Sequence, residues 1–261
     1  MGALNTAATG MLAQQLNVEV ISNNIANLNT TGFKRSRAEF QDLLYQTVER
    51  VGSQTSGSDT RRASGIQIGV GVRAAGVYRI GQQGSLTDTG NRYDLAIDGR
   101  GYFQVQLPSG QDAYTRAGTF QISDQGILVT AEGYQVQPGI NIPNNAVDVT
   151  ISETGLVQVK IDGQTQPQTV GQLQLATFSN DAGLEAIGSN LLLESAASGA
   201  AILGSPGDQG FGRVRQGFLE ASNVNPVGEI TSLITAQRAY DMNSKVIQAA
   251  DEMLNTANQI R

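Results

Sequence analysis

The 261-residue chain has no cysteine, no histidine and no tryptophan, and charged residues make up only 15% of it. It therefore lacks the thiolate nucleophile, the base most often used near neutral pH, and the commonest metal ligand. The net charge of −6 argues against a nucleic-acid partner, because phosphate binding needs a basic surface. We expect a protein that is not an enzyme, with no catalytic residues, no metal, no cofactor and no small-molecule substrate.

Long apolar runs are also missing. No stretch approaches the roughly eighteen consecutive apolar residues of a membrane-spanning helix. No basic residue precedes Lys34, and Asn17, Asn23 and Asn24 interrupt any apolar region near the N-terminus. The N-terminus therefore lacks the pattern of a secretory signal peptide, which leaves export by a machine that reads uncleaved N-termini open.

The N-terminal segment, residues 1–33, has the apolar spacing of a coiled-coil helix. Positions three and four residues apart form its stripe: Leu4, Ala7, Met11, Gln14, Val18, Ile21, Ile25 and Leu28. Glu19 is the single charged residue before Lys34. A helix that faces water usually carries several charges there. The pattern predicts a helix whose polar side is also covered.

The C-terminal segment, residues 226–261, repeats this pattern after Pro226, which is tolerated in the first turn of a helix. Its stripe consists of Ala239, Tyr240, Asn243, Val246, Ile247, Ala250, Met253, Leu254, Ala257 and Ile260. We predict that this helix pairs with residues 1–33 in a coiled-coil layer.

The middle of the chain changes to a period of two, which is typical of strands. Alternating runs include Ile66–Val72, Phe103–Leu107, Val147–Ile151 and Val157–Ile161. The sequence predicts a mixed fold with terminal α-helices and a central all-β domain over residues 66–225. Residues 34–65, which end in a tract rich in Gly, Ser and Thr, are predicted to form an extended connecting segment.

The cost of ordering the ends predicts how they are used. Burying the six larger side chains of the C-terminal stripe contributes about 9–18 kcal/mol. Fixing the backbone of that segment costs on the order of 36 kcal/mol, which helical hydrogen bonds offset only in part. We therefore expect ends that are mobile in an isolated subunit and helical in a polymer. The alternative is a stable helical hairpin on the β domain.

Five sequence blocks resemble those of bacterial flagellar rod and hook proteins. The most specific one reads Ser22-Asn23-Asn24-Ile25-Ala26-Asn27-Leu28-Asn29-Thr30-Thr31-Gly32-Phe33-Lys34. The others follow in the expected order at Asp94–Phe103, Tyr114–Phe120, Glu220–Asn225 and Gln237–Lys245. Within the family, the chain is most similar to distal-rod members, because Phe33–Gln46 and the insertion Val48–Ser64 resemble theirs.

The resemblance implies a structural subunit that polymerises into a rigid tube and transmits torque to the hook. It implies an outer β domain, a rod that spans the periplasm to the outer membrane, and export through the flagellar type III apparatus. The implied partners are further copies, proximal rod proteins, the hook protein, and the P and L ring proteins. A rigidity segment is expected to include Phe33, Lys34, Arg35, Arg37, Phe40, Leu43, Leu44 and Tyr45.

Two other functions stay open at this point. One is a different axial protein, either a proximal rod or a short hook-type subunit, which the segment 34–65 would distinguish. The other is a carbohydrate-active β protein with helical ends. A turnover assay whose activity is abolished by one carboxylate substitution would favour it.

Overall fold

A computed structural model of the chain describes residues 2–49, 64–164 and 166–259. Helix α1 spans Gly2–Ala26 and helix α2 spans Pro226–Gln259. The described chain contains no helix that is long and apolar enough to cross a membrane. A short 3-10 helix lies at Asp181–Gly183. The strands are β1 (Ser36–Asp42), β2 (Tyr45–Glu49), β3 (Ile66–Gly69), β4 (Val72–Arg79), β5 (Leu86–Asp88), β6 (Leu95–Asp98), β7 (Tyr102–Gln106), β8 (Asp112–Thr115), β9 (Phe120–Ile122), β10 (Leu128–Thr130), β11 (Gln135–Val136), β12 (Ala146–Ile151), β13 (Leu156–Ile161), β14 (Gln168–Gln172), β15 (Leu175–Thr177), β16 (Glu185–Gly188), β17 (Leu191–Leu193), β18 (Ile202–Gly204), β19 (Arg213–Gln216) and β20 (Phe218–Glu220).

The chain folds into two compact units. The first, which we call the helical unit, contains α1, α2 and strands β1 to β4 up to Tyr78. The second, the β unit, contains residues 27–35 and 79–224. Neither unit is continuous in sequence, because the chain enters and leaves the β unit twice.

Local signals explain where α1 ends and where α2 begins. After α1, the Thr30 N–H donates to the Asn27 carbonyl at 3.2 Å, and Gly32 takes a positive φ of 69°. Both features belong to a turn that continues away from a helix axis. At the other end, Asn225 Oδ1 accepts from the Val227 and Gly228 N–H groups at 3.1 and 3.2 Å. Asn225 is therefore the N-cap of α2, with Pro226 in the first turn.

The helical unit consists of an antiparallel helix pair and two small sheets. Helix α1 packs against α2 and also beside β1. Strand β1 pairs with β4, and β2 pairs with β3. The start of β4 lies close to α1, where the Val72 N–H donates to Thr9 Oγ1 at 3.3 Å.

The β unit is built from antiparallel strands around one main core. Its largest sheet has nine strands, with β7 between β8 on one side and β11 and β15 on the other. A three-stranded sheet β12-β13-β14 and the pairs β19-β6 and β20-β5 complete the unit. Phe103 and Phe120 are fully buried, with their rings edge to face at 5.1 Å. Alternating burial along β7 and β13 gives the period of two seen in the sequence.

The structure confirms the two terminal helices and the β-rich centre, but its boundaries differ from the predicted ones. Helix α1 ends at Ala26 rather than near residue 33. The described part of segment 34–65 is mostly strand, because β1 and β2 find partners in β4 and β3. Residues 66–78 therefore belong to the helical unit and not to the β domain predicted over 66–225.

Candidate assembly interface

Small and polar side chains fill the contact between α1 and α2, which we call the seam. On α2, Glu229, Ala236, Asn243 and Ala250 are seven residues apart, and all four are buried or half-buried. A side chain at Gly10 would meet the Asn243 amide nitrogen at 2.8 Å. This spacing is the heptad repeat of a coiled-coil contact. The seam brings the two helix backbones close together.

A polar cluster closes one end of the seam. The buried Asn24 donates to Glu229 Oε2 at 3.2 Å and to the Ser36 carbonyl at 2.8 Å. The Ser36 N–H donates back to Asn24 Oδ1, also at 2.8 Å. Asn24 therefore ties α1 to α2 and to the first residue of β1.

Large apolar side chains on α2 point away from the seam. Val227, Ile230 and Ile234 follow helical spacing, and each is 45% exposed or more. Met242, Val246 and Met253 form a second group with 47% exposure or more. We call these six residues the outer apolar groups. Several large apolar side chains left exposed on one helix are typical of an interaction site.

The predicted interface residues differ in how far they are buried. Of the predicted set, Ile21 and Ala250 are buried. The half-buried members are Leu4, Met11, Val18, Ile25, Leu28, Ala239, Asn243 and Ile247. The exposed members are Tyr240, Val246, Met253 and Leu254. The side chain of Ala257 and the residue Ile260 lie outside the described residues.

The sequence pattern missed several residues. It did not select Asn24, Glu229 or Ala236, although the seven-residue spacing of the last two with Asn243 and Ala250 was a usable signal. The exposed Val227, Ile230 and Ile234 were also missed.

The predicted rigidity segment falls into both units. Phe33, Lys34 and Arg35 belong to the β unit and are half-buried. The remaining members belong to the helical unit: Arg37, Phe40, Leu43, Leu44 and Tyr45. Of the insertion Val48–Ser64, residues 50–63 lie outside the described residues.

The β2-β3 ribbon exposes apolar side chains. Leu44, just before it, is 87% exposed, and Tyr45, Val48, Ile66 and Ile68 are all exposed. A two-stranded ribbon is marginally stable by itself in water. Its apolar side chains therefore form a second candidate contact surface.

Lys34 takes part in a buried ion cluster inside the β unit. Its Nζ lies 2.5 Å from Glu220 Oε1, and Arg116 Nε donates to Glu220 Oε2 at 2.8 Å. Burial alone would raise the pKa of Glu220, but the charges of Arg116 and Lys34 outweigh it and hold this pKa below its usual 4.5. Burial lowers the pKa of Lys34. Glu220 lies in the sequence block Glu220–Asn225, but no sequence pattern indicated its pairing with Lys34 and Arg116.

Three family models match different parts of the chain. They are described as flagella basal body rod protein over residues 4–34, flagellar hook protein FlgE/F/G D1 domain over 96–159, and flagellar basal body rod FlgEFG protein C-terminal over 215–260. The flagellar basal-body rod protein FlgG of Caulobacter vibrioides is 66% identical over the whole of both chains. The FlgG of Borreliella burgdorferi is 49% identical over 100% of this chain and 99% of its own.

The chain belongs to the FlgG family of flagellar basal-body rod proteins. It is a structural subunit of the distal rod. The FlgF rod protein of Caulobacter vibrioides is only 34% identical over 98% of this chain and 96% of its own, which separates the FlgG type from that sibling. None of the matched family models describes a catalytic domain.

A solved structure, the hook protein FlgE2 of Helicobacter pylori, is a distant match. It is 15% identical and covers 72% of this chain and 43% of its own, with a TM-score of 0.25. That score is too low to inform the fold.

Proposed function

We propose that this FlgG-family chain polymerises through α1 and α2 into a rigid helical tube that transmits torque to the hook. The role is mechanical rather than catalytic. The observation that carries the proposal is the pair of outer apolar groups, which remain exposed after α2 has packed on α1. Soluble monomers rarely leave such a surface uncovered.

Contacts between copies would cover the outer apolar groups. Completing the burial of half-exposed Val, Ile or Met side chains contributes about 1 kcal/mol each, which gives several kcal/mol per subunit. Copies that meet through two different surfaces form an open helical polymer rather than a closed dimer. In this arrangement the two helices of every subunit form an inner coiled-coil layer, and the β unit forms the outer layer.

The β2-β3 ribbon is our candidate for the rigid contact. Its exposed side chains, including Tyr45 and Ile68, would be wedged between neighbouring subunits and would resist sliding. The predicted rigidity segment runs from Phe33 to Tyr45, which is the first residue of this ribbon.

The proposed surroundings follow from the family. The tube would span the periplasm to the outer membrane, turn inside the P and L rings, and join proximal rod proteins to the hook protein. The subunits would reach their place through the flagellar type III export apparatus, without cleavage of a signal peptide.

A single charge in an outer apolar group tests the polymer contact. Val246→Asp should abolish rods in a strain that lacks the native protein, because assembly would bury an unpaired carboxylate. Gln248→Asp is the matched control, since Gln248 is an exposed polar residue on the same helix. Rods are counted by electron microscopy of purified basal bodies. Normal rods with Val246→Asp would contradict the proposed contact.

A deletion tests the rigidity segment. Removing Val48–Ser64 should give a more flexible, hook-like polymer. A Gly-Ser linker of equal length in the same place is the control that separates the length of the segment from its side chains. Straightness is measured on electron micrographs. Straight, equally stiff rods from the deletion would refute this role.

A further inference from the structure

The ion cluster of Lys34, Arg116 and Glu220 has no part in the contacts proposed so far. The three side chains are 10%, 7% and 1% exposed. Besides the two cations, Glu220 accepts from the Gly84 N–H at 2.9 Å through Oε1. Both carboxylate oxygens therefore accept hydrogen bonds, and each cation has its counter-ion inside the β unit.

Backbone carbonyls take up the remaining donors of the two cations. Lys34 Nζ donates to the Gln82 carbonyl at 2.9 Å. Arg116 Nη1 donates to the carbonyls of Gly99 and Gly101 at 2.9 and 2.7 Å. Burial of charged groups is tolerated only when they are paired and hydrogen-bonded in this way.

Further hydrogen bonds join the chain segments that carry Lys34, Gly84 and Glu220. The Gly32 N–H donates to the Glu220 carbonyl at 2.8 Å, and the Arg35 N–H donates to Asn223 Oδ1 at 2.7 Å. The Asn223 amide donates to the carbonyls of Ile80 and Gln82 at 3.0 and 2.9 Å. We call the segments 32–35, 80–84 and 220–223 the junction.

The junction lies beside the points where the chain passes from one unit to the other. The chain passes between the two units after Ala26, Arg35, Tyr78 and Val224. Each of these crossings lies within a few residues of a junction segment. Every covalent path from the β unit to α1 or α2 therefore starts at segments that Glu220 holds together.

We infer that Glu220 is a positioning residue that clamps the chain segments leading to both terminal helices. Torque that enters the β unit then reaches the helices without separation of those segments. This second statement rests on the proposed function. The clamp depends on the charge of Glu220, because a neutral side chain of the same shape leaves two buried cations without a counter-ion.

Hydrogen exchange of the full chain tests the clamp directly. In Glu220→Gln, the N–H groups of Gly32, Gly84 and Asn223 should exchange about tenfold faster or more, because local opening becomes easier. The N–H groups of the β12-β13 pair should keep their rates. Unchanged rates at Gly32 and Gly84, or an equal rise everywhere in the β unit, would overturn the clamp.

Two further variants complete the hydrogen-exchange test of the clamp. Glu153→Gln is the matched control, because Glu153 pairs with Arg213 at 3.2 Å where both side chains are well exposed. It should leave junction exchange unchanged. If Glu220→Gln does not fold, Lys34→Gln is used, which removes one cation and keeps the Arg116–Glu220 pair. Faster exchange confined to residues 32–35 is then expected, and unchanged exchange there would overturn the clamp.

The mechanical part is tested on purified basal bodies. Rods containing Glu220→Gln should form and should break under a lower shear stress than rods containing Glu153→Gln. Equal shear resistance, with a junction loosened in hydrogen exchange, would overturn the torque role and leave the clamp intact. Failure of the proposed function is distinguishable, because the contact variant Val246→Asp would then form normal rods.

Discussion

Replacing Asn24 by alanine should release the end of the helix pair. Asn24 is 2% exposed, and its amide makes three hydrogen bonds, two with the backbone of Ser36 and one with the carboxylate of Glu229. In Asn24→Ala, the polar groups of Ser36 and Glu229 lose these partners inside the helical unit.

The size of the effect follows from those three contacts. A neutral hydrogen bond contributes about 1 kcal/mol, and one to a charged group contributes about 1.5–3 kcal/mol. The higher helix propensity of alanine offsets about 0.6 kcal/mol of this loss of stability. We expect Asn24→Ala to lower the free energy of unfolding of the helical unit by about 3–4 kcal/mol.

Urea unfolding followed by the helical circular dichroism signal measures this change. Ser22→Ala is the matched control, because Ser22 is exposed on the same helix and should change the free energy by less than about 0.5 kcal/mol. A stability of Asn24→Ala equal to that of the control would refute the role given to the seam cluster.

Three further predictions concern the β unit. Gly32→Ala should lower its free energy of unfolding by about 2 kcal/mol or more, because Gly32 has a φ of 69° and a Cβ there would lie 2.7 Å from the Ala117 nitrogen; chemical denaturation measures the loss. Phe103→Ala should cost about 3–5 kcal/mol in calorimetry, because it empties a fully buried site against Phe120. The lowered pKa of Glu220 gives stability that is complete above its ordinary value of 4.5 and is lost as the pH falls through the lowered value. Acid titration of unfolding should therefore show a weaker dependence in Glu220→Gln, and an identical profile would speak against the ion cluster.

The strands could be predicted from the sequence where burial alternates strictly. The runs at Phe103–Leu107, Val147–Ile151 and Val157–Ile161 correspond to β7, β12 and β13. The run Ile66–Val72 reads as one strand, but it is two, β3 and β4. Between them Gly71 takes a φ of 131°, and a side chain there would collide with Thr9. That close approach depends on α1, so no local pattern reveals it.

The seam could be predicted only in part. Apolar periodicity selects the largest hydrophobic residues, and on α2 these include Val246 and Met253, which are exposed. The residues that face α1 are small or polar, such as Ala236 and Glu229. Periodicity indicates a helix and its repeat, but it does not tell a face covered by the same chain from a face covered by another copy. The pairing of Glu220 with Lys34 and Arg116 could not be predicted, because the three residues are distant in sequence.

The absence of cysteine from the chain allows a direct test of the polymer contact. A single Val246→Cys substitution places one thiol in an outer apolar group, and its rate of maleimide labelling is compared between dilute subunits and purified rods. We expect rapid labelling of the subunit and at least tenfold slower labelling in the rod, since a buried thiol reacts only after local opening with a cost of about 1.4 kcal/mol or more. Equal rates in both states would show that α2 keeps this surface open in the polymer, and would contradict assembly through the terminal helices.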